Sequence, residues 1–299
     1  MYDVLIIGAG CVGSAIAREL SRYKLKIAVL DKENDVACGT SKANSGIVHG
    51  GYDATYGTLK AALSKVGNES FTKLSEELGF ELNRCGSFVL AFNEEQNKKI
   101  EALYENGKKN GIEGLSIVDS QFVQKKERNV ADNVLSALYC STAGIISPYQ
   151  YTWALIENAV TNGVDLFLNN KVESISRDDD SFFTVKTNSN VYRTKKIVNA
   201  SGVYADDVAK LLYSPEFKIT PIRGEYMLFD KNEGKKLNTV VFQTPSGVSK
   251  GILVSPTVHG NIFVGPSYDV TDDKDDVTTH SEILDSVFKT AKLSVPSID

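Results

Sequence analysis

A short apolar run, a glycine-rich turn and a helical segment open the chain, and they constrain its fold more than any other feature. The apolar run at 4–7 is followed by GAGCVG at 8–13 and by a helical pattern of apolar residues. A second β-rich run at 27–30 ends at Asp31. Strand, turn, helix and strand in this order predict a βαβ unit with parallel strands. We therefore expect an α/β fold from the first residue.

The glycines of this turn match what a dinucleotide site requires. Gly8 allows a tight turn, Gly10 lets the main chain approach a pyrophosphate, and Gly13 lets the helix pack close to the strand. The amino end of the helix offers N–H groups and a partial positive charge to phosphates. Asp31, at the end of the second strand, is placed to accept hydrogen bonds from a ribose. The unit predicts an adenine dinucleotide but does not separate FAD from NAD.

The segment 38–51, CGTSKANSGIVHGG, is small and polar and contains four glycines. A flavin needs a long stretch of main chain against its ring and pyrophosphate, and small residues give that access. Thr40, Ser41, Asn44 and Ser45 could add side-chain hydrogen bonds. The pattern favours FAD, although a surface loop would have a similar composition.

His49 is the candidate base, and it is one of three histidines. It follows the small-residue segment and precedes two glycines, so its imidazole is expected near a bound ring, with a pKa suited to taking a proton from an alcohol. A structural role is the alternative. His259 lies beside a turn and His280 at a polar helix start, and neither is expected to act in catalysis.

The rest of the chain alternates between two patterns. Helices are expected at 58–78, 93–110 and 148–162, and short strands follow the last of these. After 215 the strands are longer, including one at 219–229, and have no helix between them, which predicts a mostly antiparallel sheet. We expect two interleaved domains. The dinucleotide-binding domain takes 1–80 and 146–214, and the substrate domain takes 81–145 and 215–299.

Composition and charge exclude several classes of protein. The 33 Lys and Arg against 38 Asp and Glu give a net charge of −5, so the chain lacks the basic surface of a nucleic-acid-binding protein. Four scattered cysteines form no CxxC pair, so neither a metal site nor a disulfide framework is expected. No apolar run approaches the ~20 residues that span a bilayer. We expect a cytoplasmic protein that touches a membrane, if at all, from its surface.

Several motifs together resemble the FAD-dependent oxidoreductases of the D-amino-acid oxidase type, and within them the flavin-dependent glycerol-3-phosphate oxidases and dehydrogenases. They are the amino-terminal IIGAGCVGSAIARELSRYKLKIAVLDK, TSKANSGIVHGG at 40–51, VNASGVYAD at 198–206, PIRGEY at 221–226, and KGILVSP with NIFVGPS at 250–267. The resemblance covers nearly the whole chain. It implies a Rossmann-like FAD-binding domain interleaved with an α+β substrate domain on a mostly antiparallel sheet.

The resemblance also implies roles for individual residues. Asp31 would hold the adenosine ribose, and Val172 would meet the adenine through its main chain. Ser45 would contact flavin and substrate, and Lys250 would bind the anionic end of the substrate. The implied cofactor-binding residues are Gly8, Gly10, Cys11, Val12, Gly13, Asp31, Lys32, Thr40, Ser41, Asn44, Ser45, Gly46, Ile47, Val172, Ala200 and Gly202.

The implied reaction is the oxidation of sn-glycerol 3-phosphate to dihydroxyacetone phosphate. His49 would take the proton of the C2 hydroxyl while the C2 hydride passes to flavin N5. Two alternatives remain open. The first is an FAD-dependent 2-hydroxy-acid oxidase or dehydrogenase of the 2-hydroxyglutarate type, and the second is a non-catalytic dinucleotide-binding module. The electron acceptor and the oligomeric state are not indicated by these motifs.

The carboxyl-terminal part departs from the family pattern. Members continue into a segment with a substrate-binding arginine in a GxRP context and a glycine-rich segment over the flavin, whereas this sequence stops at Asp299, soon after a helical pattern at 281–293. We expect a truncated chain in which part of the cofactor pocket is absent and FAD binding is weakened.

Overall fold

The computed structural model describes residues 1–179, 181–245 and 251–299. Within them the strands are β1 Tyr2–Ile7, β2 Ile27–Leu30, β3 Ile47–Val48, β4 Leu82–Asn83, β5 Ser87–Ala91, β6 Leu115–Asp119, β7 Ser136–Cys140, β8 Gly144–Ile146, β9 Asp165–Phe167, β10 Val172–Arg177, β11 Phe183–Thr187, β12 Val191–Asn199, β13 Ile222–Arg223, β14 Met227–Phe229, β15 Val240–Gln243, β16 Leu253–Pro256, β17 Ile262–Gly265 and β18 Asp269–Val270. The helices are α1 Cys11–Leu20, α2 Leu59–Leu78, α3 Glu94–Lys109, α4 Ser120–Lys126, α5 Pro148–Thr161, α6 Ala205–Lys210, α7 Lys231–Gly234 and α8 Ser281–Lys292.

Six strands form the first sheet, in the order β10-β11-β12-β1-β2-β9. The pairs β12–β1, β1–β2 and β2–β9 are parallel, and β10–β11–β12 is an antiparallel meander. Because alternate side chains of β1 and β2 are buried on opposite faces, the sheet has one core beneath α1 and α5 and a second one on its other side.

Seven strands form the second sheet, in the order β14-β17-β16-β15-β5-β7-β6. All its pairs are antiparallel except β15–β5, which is parallel. Helix α8 packs on this sheet through Val287 and Ala291. The two sheets confirm the predicted α/β class, with a Rossmann-like sheet and a mostly antiparallel one.

The chain crosses between the two sheets several times. The first sheet takes strands from 2–30 and 165–199, and the second takes strands from 87–140 and 227–265. This alternation agrees with interleaved domains, whose boundaries in the sequence stay a prediction. A small three-stranded sheet has the order β3-β8-β4, in which β8 at 144–146 pairs with β3, the strand that follows β2, and with β4 at 82–83.

One predicted strand differs from the structure. The run 219–229 is not continuous, because β13 and β14 are separated by Gly224, Glu225 and Tyr226. A Cβ on Gly224 would lie 2.9 Å from Pro266 Cβ, so the main chain passes very close to its neighbour there. The buried Glu225 carboxylate is bonded to His280 across this break. A pattern of apolar residues does not reveal such an interruption.

Two features are absent from the described residues. None of the helices combines the length and the apolar character that a bilayer crossing demands. Across residues 1–179, 181–245 and 251–299, no group of three or more His, Cys, Asp or Glu side chains is arranged to hold a metal ion.

Candidate active site

The glycine turn between β1 and α1 is packed so closely that side chains would not fit. Gly8 has a φ of +107°, and a Cβ there would lie 2.4 Å from Ala200 O. A Cβ on Gly13 would lie 1.9 Å from Gly8 O. Ala200 N donates to Ile7 O at 2.9 Å, so the end of β12 lies directly against the turn. The positive φ of Gly8 and the close packing at Gly13 agree with the tight turn and the close helix approach expected of them, and their part in binding a dinucleotide stays a prediction.

The amino end of α1 is held to the small-residue segment by one hydrogen bond. Cys11 N donates to Ser41 Oγ at 2.9 Å, and a Cβ on Gly10 would lie 2.8 Å from the same oxygen. Gly10 is the N-cap and has no side chain of its own to cap the helix, so the Ser41 hydroxyl supplies that contact from another segment and the other N–H groups of the first turn are left without an acceptor inside the helix. Val12, in the same first turn, is 60% exposed. The positive end of the helix dipole is therefore open to an anion.

Asp31 closes the turn from the side of β2. Its Oδ2 accepts a hydrogen bond from Ala9 N at 2.7 Å, and its Oδ1 accepts one from Glu33 N at 2.9 Å. Each carboxylate oxygen accepts more than one hydrogen bond, so these contacts leave acceptor capacity for a ribose hydroxyl. Asp31 thus orders the turn in addition to the ligand role predicted for it.

Asn44 orders the segment 40–47 from within. Its Nδ2 donates to Thr40 O and Ser41 O, each at 3.0 Å, and its Oδ1 accepts from Gly46 N at 2.9 Å. Gly46 O in turn accepts from Ile146 N at 2.9 Å. The side chain predicted to bind a cofactor is therefore already bonded within its own loop.

Ser45 reaches the second half of the fold through Tyr226. The Ser45 hydroxyl lies close to the Tyr226 phenol, and burial raises the pKa of that phenol, so it stays protonated. The Tyr226 ring packs edge-on against Phe263 of β17, with ring centroids 5.7 Å apart. Ile47, in β3, pairs with Ile145 of β8.

His49 follows β3 directly, and its imidazole lies on the second sheet. The ring stacks on Phe242 of β15, with centroids 5.6 Å apart and an interplanar angle of 28°. The residue is exposed, so the ring also faces solvent. Its carbonyl accepts a hydrogen bond from Asn68 Nδ2 at 2.7 Å. The segment that carries His49 thus contacts α2 through Asn68 and β15 through Phe242.

Other predicted residues lie outside this group. Lys32 Nζ lies 4.0 Å from the Tyr204 ring centroid and 3.7 Å from Asp275 Oδ1. Partial burial opposes the charged form of Lys32, but Tyr204, Asp275 and Glu33 together raise its pKa. The Lys32 ammonium is therefore already paired with neighbouring side chains.

The remaining predicted positions are more scattered. Val172 begins β10, the edge strand three places from β1 in sheet order, and packs in the core beneath the sheet. Gly202 has a φ of +58°, and a Cβ there would meet no atom within 4 Å. Lys250 lies outside the described residues.

Three residues of this site were not predicted from the sequence as functional. Tyr226, Phe242 and Asn68 contact Ser45 and His49 from distant segments. Tyr226 belongs to the quoted PIRGEY motif, which was a signal for it. Phe242 and Asn68 stand in an ordinary strand and an ordinary helix, and no local pattern marks either one.

A family model and two curated relatives match this chain over nearly its whole length. The family model described as "FAD dependent oxidoreductase" matches residues 3–299. A glycerol 3-phosphate dehydrogenase of Caloramator mitchellensis is 45% identical over 298 residues, which are 100% of this chain and 62% of that protein. A glycerol 3-phosphate oxidase of Mycoplasma genitalium is 35% identical over 305 residues, covering 99% of this chain and 79% of that one.

A solved structure agrees with these matches. The chain superposes on the dithionite-reduced L-alpha-glycerophosphate oxidase of Mycoplasma pneumoniae, which has FAD bound, with a TM-score of 0.94 and 33% identity. The match covers 100% of this chain and 79% of the solved one.

Proposed function

This chain belongs to the FAD-dependent oxidoreductase family, and we propose that it binds FAD and oxidises sn-glycerol 3-phosphate to dihydroxyacetone phosphate. The names of the two relatives and of the solved structure support this substrate. The chain spans 62% of the length of the Caloramator relative, so the activity proposed is that of the corresponding whole protein.

The geometry of the glycine turn fits the cofactor. A side chain at Gly10 would collide with the Ser41 hydroxyl that bonds to the amino end of α1, so glycine here keeps the helix start and the segment 40–47 close together. The remaining N–H groups of the first turn of α1 would bind a phosphate. We propose that the turn 8–13 holds the pyrophosphate, that Asp31 holds the ribose, and that Ala200 and Gly202 pass beneath. The segment 40–47 would lie along the flavin through its main chain, since Asn44 is bonded within the loop.

The chemistry divides between the cofactor and the protein. FAD, when bound, supplies the two-electron acceptor. His49 takes the proton of the C2 hydroxyl on a ring nitrogen, which prepares the alcohol for oxidation. The Phe242 ring holds the imidazole plane in place, and Ser45 orients the substrate hydroxyl. Lys250 pairs with the anionic end of the substrate, as its cationic side chain allows.

One observation carries this proposal more than any other, namely the hydrogen bond from Cys11 N to Ser41 Oγ. It fastens the segment that ends in His49 to the dinucleotide turn. The two motifs are separate in the sequence, and this bond brings them to one site. A dinucleotide at the turn therefore lies beside the segment that bears the proposed base.

The test is anaerobic reduction of the protein-bound flavin by the substrate, measured as the loss of the flavin's visible absorption. We expect glycerol 3-phosphate to bleach the flavin, and His49→Gln to slow bleaching by a factor on the order of 10²–10⁴. His259→Gln is the matched control and should bleach as the unchanged protein does, because His259 lies beside a turn. Bleaching by 2-hydroxyglutarate but not by glycerol 3-phosphate would replace the proposed substrate by a hydroxy acid.

The cytoplasmic location and a surface contact with a membrane stay predictions, which fractionation of cells would test.

A further inference from the structure

Three asparagine side chains hold the main chain at and after His49, and we call them the carboxamide clasp: Asn68 of α2, Asn106 of α3, and Asn110 at the end of α3. Each donates through Nδ2 to at least one main-chain carbonyl of the segment 49–54. A carboxamide with two N–H groups is suited to join two carbonyls that no strand partner satisfies. The clasp therefore replaces a regular ladder beyond the end of β3.

The three members hold different parts of the segment. Asn106 Nδ2 donates to Tyr52 O at 2.7 Å and to Ala54 O at 2.9 Å. Asn110 Nδ2 donates to Ala54 O at 2.7 Å and to Gly51 O at 3.3 Å. Neither of these two asparagines bonds to His49.

Asn68 is the member that reaches His49 itself. Its Nδ2 donates to His49 O at 2.7 Å and to Thr142 O at 3.1 Å. The pairing of β3 with β8 ends at Val48 and Gly144. His49 O comes just after the last paired residue of β3, and Thr142 O comes just before the first paired residue of β8. One carboxamide thus bridges both chains just beyond the ladder.

Asn68 is itself fixed. It is 8% exposed, and its Oδ1 accepts a hydrogen bond from an Arg84 guanidinium nitrogen at 3.1 Å. Arg84 also donates to Asn68 O at 2.7 Å and to Thr142 O at 2.6 Å. A further hydrogen bond runs from Arg84 to the Thr72 hydroxyl at 3.2 Å, and burial lowers the pKa of the Arg84 guanidinium. Both the carboxamide and the cation therefore serve the main chain around position 49.

We propose that Asn68 is a positioning residue for His49, which sets where the imidazole stands over Phe242 and hence where the proton is taken. The inference rests on the proposed function, because it gives the placement of His49 a catalytic purpose. Asn106 donates to Tyr52 O, three residues beyond His49, so it would stabilise the loop without determining the position of the imidazole. Both asparagines donate to main-chain carbonyls of the same segment, but only Asn68 contacts His49. Comparing variants of the two therefore distinguishes positioning of His49 from stabilisation of the loop.

The decisive substitution is Asn68→Asp, which keeps the shape of the side chain. The new carboxylate can still accept from Arg84, but it replaces the Nδ2 donor by an oxygen that faces two carbonyl oxygens. Asn68→Ala removes the donor without adding a charge and serves as a second variant. Asn106→Asp is the matched control, because it removes the same kind of donor from Tyr52 O and Ala54 O.

The first readout is the imidazole itself, by NMR of protein labelled with ¹⁵N-histidine. The chain has three histidines, so His259→Gln and His280→Gln assign the signals by elimination. We expect the ring signals of His49 to shift or split in both Asn68 variants and to stay in place in Asn106→Asp. This measurement needs neither substrate nor turnover.

The second readout is the rate of flavin reduction by glycerol 3-phosphate at saturation. A displaced base should lower that rate on the order of 10- to 100-fold in Asn68→Asp, with little change in the substrate concentration for half-maximal rate. Unmoved His49 signals in both Asn68 variants, or equal rate losses in Asn68→Asp and Asn106→Asp, would overturn the positioning role. If glycerol 3-phosphate does not reduce the unsubstituted protein, the proposed function fails, and the NMR comparison alone still decides the role of Asn68.

Discussion

Adding the same methyl group at two helical glycines, Gly13→Ala and Gly67→Ala, should change stability in opposite directions. Both residues lie inside helices, α1 and α2, where alanine is intrinsically favoured over glycine by about 1 kcal/mol. The surroundings differ completely. A Cβ on Gly13 would lie 1.9 Å from Gly8 O, whereas a Cβ on Gly67 would meet no atom within 4 Å.

The cost at Gly13 follows from what the methyl group meets. Gly8 O is a main-chain atom, and Gly8 N is bonded to Leu30 O at 2.8 Å, so the neighbour does not simply rotate away. Ordinary van der Waals separation requires α1 to move away from the turn by about 1.5 Å. Overpacking of this kind costs about 1–3 kcal/mol, and the gain in helix propensity offsets about 1 kcal/mol of that. We expect Gly13→Ala to lower the free energy of unfolding by about 1 kcal/mol and Gly67→Ala to raise it by about 0.5–1 kcal/mol.

The assay is urea denaturation followed by the fluorescence of Trp153, the one tryptophan of the chain. It lies on α5, which packs against α1, and it is half-exposed, so its emission should change when the two helices separate. Titration with FAD gives a second measurement, because Gly13→Ala moves the amino end of α1 and should weaken binding. Equal free energies of unfolding for Gly13→Ala and the unchanged protein would show that the turn yields easily, and the packing argument for Gly13 would be wrong.

Two further predictions concern contacts between the halves of the chain. Lys274, hydrogen-bonded to Asp206, lowers the pKa of that carboxyl to about 2 from 3.8, so the stability it contributes is present above pH 3.8 and is lost as the pH falls through about 2. The free energy of unfolding should therefore fall more steeply between these pH values in the unchanged protein than in Asp206→Asn, and parallel curves would contradict this. Tyr226→Phe keeps the ring against Phe263 and removes only the phenol hydroxyl beside Ser45, so it should lower the free energy of unfolding by less than about 1 kcal/mol in urea denaturation, and a clearly larger loss would contradict this.

The elements near the amino end were predictable because their signals are local. The turn from β1 into α1 and β2 is encoded by glycines and apolar runs that are adjacent in the sequence. Three longer helices also begin at capping residues that the sequence displays. Thr58, Asn93 and Ser147 each accept a main-chain hydrogen bond at the start of α2, α3 and α5. Such signals need no knowledge of the remaining chain.

The contacts of the candidate site were less predictable because they are not local. The sequence indicated that His49 follows a segment of small residues, but it did not indicate that the imidazole stacks on Phe242. The clasp is equally hidden, since asparagine in a helix is usually read as a surface residue. The pattern in α2 was also misleading in part. Leu59, Leu63 and Val66 have helical spacing with Leu74 and Leu78, yet the first three are exposed and the last two pack in a core.

The segment 38–51 explains why one site can draw on both sheets. Ser41 accepts a hydrogen bond from the helix that packs on the first sheet, Ser45 lies beside Tyr226, and the His49 ring stacks on Phe242 in the second sheet. Each of these contacts is made by a different residue, so the loop is held at three separate points along its length. This is why a single loop can bring residues of the candidate site into contact with both sheets.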